Sequence, residues 1–338
     1  MKTTSQHAFQ GKARTGLLLI NLGTPDGTDE ISMRRYLKQF LSDKRVIDAS
    51  GPLWWLILNG IILRKKPKSS GAAYARIWNN DRNESPMRTI TRAQADALAQ
   101  RLESAGVVVD WAMRYGVPSI RDGLEGLTAK GCDRILIFPL YPQYAGGTTG
   151  TAMDAVFEVL KGQQAQPAIR QVPAYYDHPG YVAALAESIG AHHASLGWAP
   201  EVTLASFHGL PVDFIQKGDP YQAQCEATYH LLQKALGVDE SRLQLTYQSR
   251  TGRKEWTGPD TEETLVDLAK HGVKSVSVIA PGFAADGVET LEELGLRARD
   301  AFLGAGGENF TLVPCLNASN VSMDLMETLA RENLCGWV

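Results

Sequence analysis

A histidine where an apolar run stops, and three carboxylates spaced three and four residues apart, are the features of this chain that point most directly to chemistry. His208 lies in Ser206-Phe-His-Gly-Leu-Pro211, at the end of the run Val202–Phe207. Imidazole titrates near neutrality, so at an open strand end beside glycine it can exchange a proton or ligate a metal. The plain alternative is a histidine that hydrogen-bonds a neighbouring turn. The other histidines, His7, His178, His192, His193, His230 and His271, lie in polar tails, loops or helix flanks and read as solvated.

Asp286, Glu289 and Glu293 follow Pro281-Gly-Phe283. On an α-helix this spacing projects all three from one face. Asp-x-x-Glu is also a capping box, and acids in a first turn complement the helix dipole. Glu293 continues the line beyond what capping needs. Three aligned carboxylates repel one another unless they share a cation or protons.

Other clusters suit a flat, acidic ligand or an interface. Tyr247-Gln-Ser-Arg250 runs on through Arg253 to Trp256, and Arg114-Tyr115 ends Val107–Met113. Guanidinium groups bind carboxylates and an indole covers a flat ring, although both segments read equally as structural loops. Leu53–Leu63, with Trp54 and Trp55, is followed by Arg64-Lys-Lys-Pro-Lys68. An apolar stretch with tryptophans and a basic flank fits an interfacial or substrate-covering lip, or a core helix with a charged end.

The elements that must hold these groups are legible as alternating strands and helices. Gly16–Asn21, Arg134–Phe138, Val202–Phe207 and Ser275–Ala280 are unbroken apolar runs, as expected of strands buried on both faces of a parallel sheet. Ile90–Leu102, Ala183–Leu196, Tyr221–Leu236 and Glu262–His271 carry helical patterns. This alternation predicts a doubly wound α/β fold. Leu124, Leu127, Gly131, Ile135 and Ile137 recur at one constant offset as Leu265, Leu268, Gly272, Val276 and Val278, and Gly23 and Pro25 answer Gly209 and Pro211. Two similar Rossmann-like lobes follow, with a boundary near Pro167–Pro173. Ligands of such sheets sit beyond the strands' carboxyl ends, so the turns are expected to face one cleft.

Composition narrows the function classes. The 338 residues are 44% hydrophobic and 21% charged, ordinary globular values, and the net charge of −3 argues against nucleic-acid binding. No apolar run reaches the roughly 18 residues of a membrane span, and the polar Met1–Arg14 stretch predicts no secretory signal. Cys132, Cys225, Cys315 and Cys335 are scattered, as in reduced cytoplasmic thiols, and Cys315 with Cys335 supplies too few ligands for a cluster. The chain has no phosphate loop, dinucleotide fingerprint, nucleophile elbow or His-Glu-x-x-His, which disfavours a sugar- or nucleotide-modifying enzyme.

In sum of motifs and their order, the chain resembles the ferrochelatases of bacteria from about Gly16 to Asn317. Leu-Gly-Thr-Pro25, Tyr-Leu-Lys-Gln-Phe-Leu-Ser-Asp43, Leu-Tyr-Pro-Gln-Tyr144, Ser-Phe-His-Gly-Leu-Pro211, Gly-Asp-Pro-Tyr221, Tyr-Gln-Ser-Arg250 and Pro-Gly-Phe-Ala-Ala-Asp286 with Glu-Thr-Leu-Glu-Glu-Leu294 carry the likeness. The resemblance implies a chelatase-like pair of Rossmann-like lobes over 14–170 and 171–317, with a helix in 318–338 packing back on the first. It implies insertion of Fe2+ into protoporphyrin IX, the last step of haem synthesis, by a lyase. His208 and Glu289 fall on the metal-centre pair, Asp286 and Glu293 on the path for metal and protons. Leu22, Arg114, Tyr115, Tyr141, Gln248 and Trp256 fall on porphyrin-pocket positions, and Trp54 and Trp55 on a lip at about 52–68. Iron is implied as substrate, with no required cofactor and no iron–sulfur centre, in a cytoplasmic protein touching the inner membrane surface. Ala145-Gly-Gly-Thr148 and Gly287 depart from residues common in bacterial relatives. Two rival readings are a non-catalytic porphyrin or haem carrier, and a chelatase for another metal or tetrapyrrole.

Overall fold

The computed structural model describes residues 14–49, 51–250, 252 and 254–338; His7 and Arg253 lie outside the described residues. Two compact units are formed. One comprises the described part of Met1–Leu140 with Gly146–Pro173 and Met323–Val338, the other Tyr141–Ala145 with Ala174–Ser322. Tyr141–Ala145 thus groups with the second unit. The last helix, Asn320–Leu334, enters the first, where Arg101 pairs with Asp324 at 2.5 Å and with Glu327 at 3.3 Å.

Each unit is built on a four-stranded, all-parallel sheet. In the first, β1 (Arg14–Gly23), β2 (Val107–Tyr115), β3 (Cys132–Pro139) and β4 (Ala168–Gln171) take the order β2-β1-β3-β4. In the second, β5 (Val202–His208), β6 (Leu243–Gln248), β7 (Ser275–Ile279) and β8 (Asn309–Leu312) repeat it as β6-β5-β7-β8. The recurring residues occupy matching cores. Leu124, Leu127, Ile135 and Ile137 are buried in the first, and Leu265, Val276 and Val278 in the second, with Leu268 packed against it. Burial on both faces explains why β1 and β5 read as unbroken apolar runs.

This strand order fixes where chemistry can occur. From β5 the chain crosses to β6 on one side, then returns to lay β7 on the other. Such a reversal opens a crevice beyond the carboxyl ends of the strands. His208 ends β5, and the segment leading to Glu289 follows β7. Both arms of the candidate site therefore leave the sheet at one switch point.

Leu53–Leu63 is helical throughout, as an α-helix Pro52–Ile57, a π turn Leu58–Ile62 and a further α-helix Leu63–Ala75. Among the described residues no helix is long and apolar enough to cross a membrane.

Candidate active site

The β5–β6 register sets His208 opposite Gln248, and the Gly209 N–H donates to the Gln248 carbonyl at 2.7 Å. Only glycine fits there, because a Cβ on Gly209 would stand 2.8 Å from that carbonyl oxygen and 3.3 Å from the Trp256 ring. The His208 side chain is half-buried, with Nδ1 2.6 Å from the Gly209 carbonyl oxygen. A carbonyl can only accept, so Nδ1 carries a proton, which in the neutral tautomer leaves the lone pair on Nε2. The buried Tyr221 hydroxyl interacts with the His208 backbone, and the Phe283 ring lies 6.5 Å from the imidazole.

Glu289 stands in a π-helix, Val288–Ala298. Helices of this kind are rare and recur at functional sites. The residue is half-buried, with Oε2 shut off from solvent and without a hydrogen-bond partner among the described residues. Burial raises its pKa above the ordinary carboxylate value, helped by Glu293; its own backbone and the nearby His208 oppose the rise. An unpaired buried carboxylate costs several kcal/mol, which favours retaining the proton.

The three acids do not form the single line that α-helical spacing predicts. Asp286 precedes the helix and is buried. Its Oδ1 accepts from Thr290 Oγ1 at 2.8 Å and its Oδ2 from Asn317 Nδ2 at 2.6 Å, while its N–H donates to Asn317 Oδ1. Asp286 thus fastens the segment before the helix, and the Asp-x-x-Glu capping box is not formed, since the N-cap is Gly287 with Thr290 at the third helical position. Glu293 accepts from the Ser249 N–H at 2.6 Å and the Ser249 hydroxyl at 2.7 Å, and pairs with Arg297 at 3.0 Å. Ser249 takes φ +63°, a left-handed conformation uncommon outside glycine. A cavity of about 520 Å³ opens on that side, lined by Arg250, Asp260, Glu262, Lys270, Glu293 and Arg297. Among the described residues no three His, Cys, Asp or Glu side chains gather as a metal nest.

The pocket positions separate when their surroundings are compared. Trp256 is half-buried and bridges to Pro211, while the adjacent Thr257 N–H donates to the Leu210 carbonyl at 2.9 Å, so the indole is held against the His208 turn. Tyr141 is buried in the same unit and Leu22 half-buried in the other. Gln248 requires correction as a ring contact. It is 2% exposed, and its amide is committed to the Ser206 hydroxyl at 2.8 Å and the Glu289 carbonyl at 2.7 Å. Tyr115 likewise belongs to the core at 0% exposure, with its hydroxyl donating to Asp43 at 2.9 Å.

Arg114 is pinned by Asp43 at 2.6 Å and Thr151 at 2.8 Å, and stacks over the Tyr115 ring at 4.5 Å. Burial works to raise the Asp43 pKa, yet hydrogen bonds from Thr151, the Arg45 N–H and Tyr115, with the Arg114 charge, hold it below the ordinary value. Asp43, Ser206, Tyr221, Ser249 and Arg297 are the supporting residues that sequence reasoning missed. Asp43, Ser206, Tyr221 and Ser249 did stand inside recognisable motifs. The two lip tryptophans differ, since Trp54 donates to the Leu41 carbonyl at 3.3 Å while Trp55 is exposed. His192 and His193 are not merely solvated, because they bond Thr311 at 2.7 Å and Ser277 at 2.9 Å.

Comparison with known proteins places the chain in a family. Residues 14–334 match the family model described as Ferrochelatase. A ferrochelatase of Bradyrhizobium diazoefficiens is 51% identical over 338 residues, covering 100% of this chain and 98% of that one. A ferrochelatase of Mesorhizobium japonicum is 52% identical over 336 residues, covering 99% and 95%. Among solved structures, SirB from Bacillus subtilis with Fe3+ superposes with a TM-score of 0.55 at 12% identity, covering 95% of each chain. The sirohydrochlorin chelatase SirB with cobalt gives 0.52 at 10% identity, again covering 95% of each chain. At such identities the likeness speaks to fold alone.

Proposed function

The chain belongs to the ferrochelatase family, whose reaction is the insertion of Fe2+ into a porphyrin, and on that premise we propose that His208 and Glu289 carry the step here. In this reading the ring is protoporphyrin IX, the product protohaem, and iron a substrate, with no resident cofactor required. Two pyrrole N–H protons must leave as Fe2+ enters. Nε2 of His208 takes one, its tautomer fixed by the bond from Nδ1 to the Gly209 carbonyl. Glu289 receives the incoming cation as a carboxylate, any proton it held passing to solvent, and takes the second pyrrole proton once the cation has moved into the ring.

The observation that carries the reading is the buried, unpartnered Oε2 of Glu289 beside that imidazole. Burial raises the Glu289 pKa, favouring its protonated form, and an arriving cation favours the carboxylate. Cation entry thus expels a proton from the same spot, and the low-dielectric site avoids holding both charges. A pair of metal-facing groups, in place of a closed ligand set, suits an ion in transit. The reading makes the protein a cytoplasmic lyase.

Membrane contact is proposed at the helix that starts at Pro52. Leu53, Trp55, Leu56 and Ile61 are 71%, 61%, 58% and 56% exposed, and Arg64, Lys65, Lys66 and Lys68 follow. An apolar face with a basic flank fits the surface of an anionic bilayer. The deciding experiment is anaerobic incubation of the protein with Fe2+ and protoporphyrin IX while the visible spectrum is followed. Appearance of the metalloporphyrin bands at an enzyme-dependent rate supports the reading. Ring binding without metallation would leave a carrier.

A further inference from the structure

We infer that Gln248 is a positioning residue that sets the approach of His208 to Glu289, an assignment that deepens the proposed function and rests on it. The residue touches the backbone of both arms. Its carbonyl accepts the Gly209 N–H at 2.7 Å, and the Gly209 carbonyl in turn accepts the His208 Nδ1 proton at 2.6 Å. Its side-chain Nε2 donates to the Glu289 carbonyl at 2.7 Å. Imidazole tautomer and carboxylate helix are therefore joined through one amino acid.

The side chain has no freedom to rotate. Its Oε1 accepts from the Ser206 hydroxyl at 2.8 Å; that hydroxyl lies 2.7 Å from Thr261 Oγ1, which lies 2.9 Å from Thr246 Oγ1. All four residues are buried. Closed polar chains of this kind are rigid, because any rotation leaves a buried group unpaired. The next residue extends the clamp, since Ser249 holds both Glu293 oxygens one turn further along the π-helix. Two consecutive residues at the end of β6 thus grip the helix at Glu289 and Glu293, and so determine where the Glu289 carboxyl points.

The test is Gln248→Leu, of similar volume but unable to bond either partner, with Gln248→Glu beside it. A carboxylic acid can donate to the Glu289 carbonyl only while protonated. Positioning predicts that Gln248→Leu lowers kcat by about 10- to 100-fold with the porphyrin KM within twofold, because misplacement by about 1 Å carries a penalty of that order. It also predicts that the activity of Gln248→Glu, relative to wild type at each pH, rises as pH falls. If Gln248→Leu does not fold, the kcat-against-KM split and pH trend of Gln248→Glu decide alone. A raised porphyrin KM with unchanged kcat would make Gln248 a ring contact and overturn the inference, as would unchanged kinetics or a flat relative pH profile. A wild-type protein without iron insertion would instead overturn the functional reading beneath it.

Discussion

The imidazole of His208 pulls the Glu289 proton off while burial of Glu289 holds it on, and burial prevails. On the geometric side, Nδ1 of the imidazole is bound to the Gly209 carbonyl, and Oε2 of Glu289 has no hydrogen-bond partner among the described residues.

His208→Ala removes the Nε2 acceptor and leaves the rest of the β5 end in place. Metallation should fall by about 100-fold or more. Porphyrin affinity, read from fluorescence quenching, should change little. Retained turnover would remove His208 from the chemistry.

Glu289→Gln keeps the shape and deletes the titration. Because burial raises the folded pKa, charging Glu289 opposes folding, and the penalty grows as pH rises through the folded value. The glutamine variant should melt higher than wild type at pH 8, by about 2–4 °C per kcal/mol relieved. It should also lose the activity limb that rises with pH. A lower melting temperature at pH 8 would contradict a strained, proton-holding carboxyl.

His192 and His193 predict an acid limit. Burial lowers both values, and at His193 the neighbouring His192 adds to it. With folded values below the ordinary 6.5, their contribution is present above 6.5 and is lost as pH falls through the folded values. Denaturant midpoints of His193→Gln should therefore vary less with pH below 6.5 than those of wild type. Parallel curves would exclude the pair as a cause of acid lability.

Trp55→Ala with Leu56→Ser should weaken sedimentation with vesicles containing phosphatidylserine, as should high salt through the basic flank. Binding unaffected by either would remove this face from membrane contact. Circular dichroism should be unchanged, since both side chains are exposed.

Much of this was readable before coordinates, for identifiable reasons. Burial on both faces leaves an unbroken apolar run, so Val202–Phe207 announced a strand and His208 its open end. The acid line was misread because spacing was converted to a face with the α-helical period, whereas Val288–Ala298 winds as a π-helix and Asp286 lies before it. Nothing in the pattern distinguishes the two, as buried Thr290, Leu294 and Ala298 suit either winding. Gln248 and Tyr115 looked available because polar groups at strand ends usually are. Their partners Ser206 and Asp43 lie 42 and 72 residues away, beyond the reach of local spacing. Arg114 was legible as a charge, but its tether to Asp43 was not.

The repeated strand order gives Leu22 and His208 the same address in two copies of one scaffold, since Gly23 and Pro25 answer Gly209 and Pro211. At one address stands a base, at the other an inert alkyl group. Duplication of a half-length ancestor would supply two equivalent strand ends, one of which now carries an imidazole and the other an alkyl side chain. The silent copy is then free to diverge toward recognition, so drift around Leu22 should alter which molecules are accepted long before it alters what is done to them.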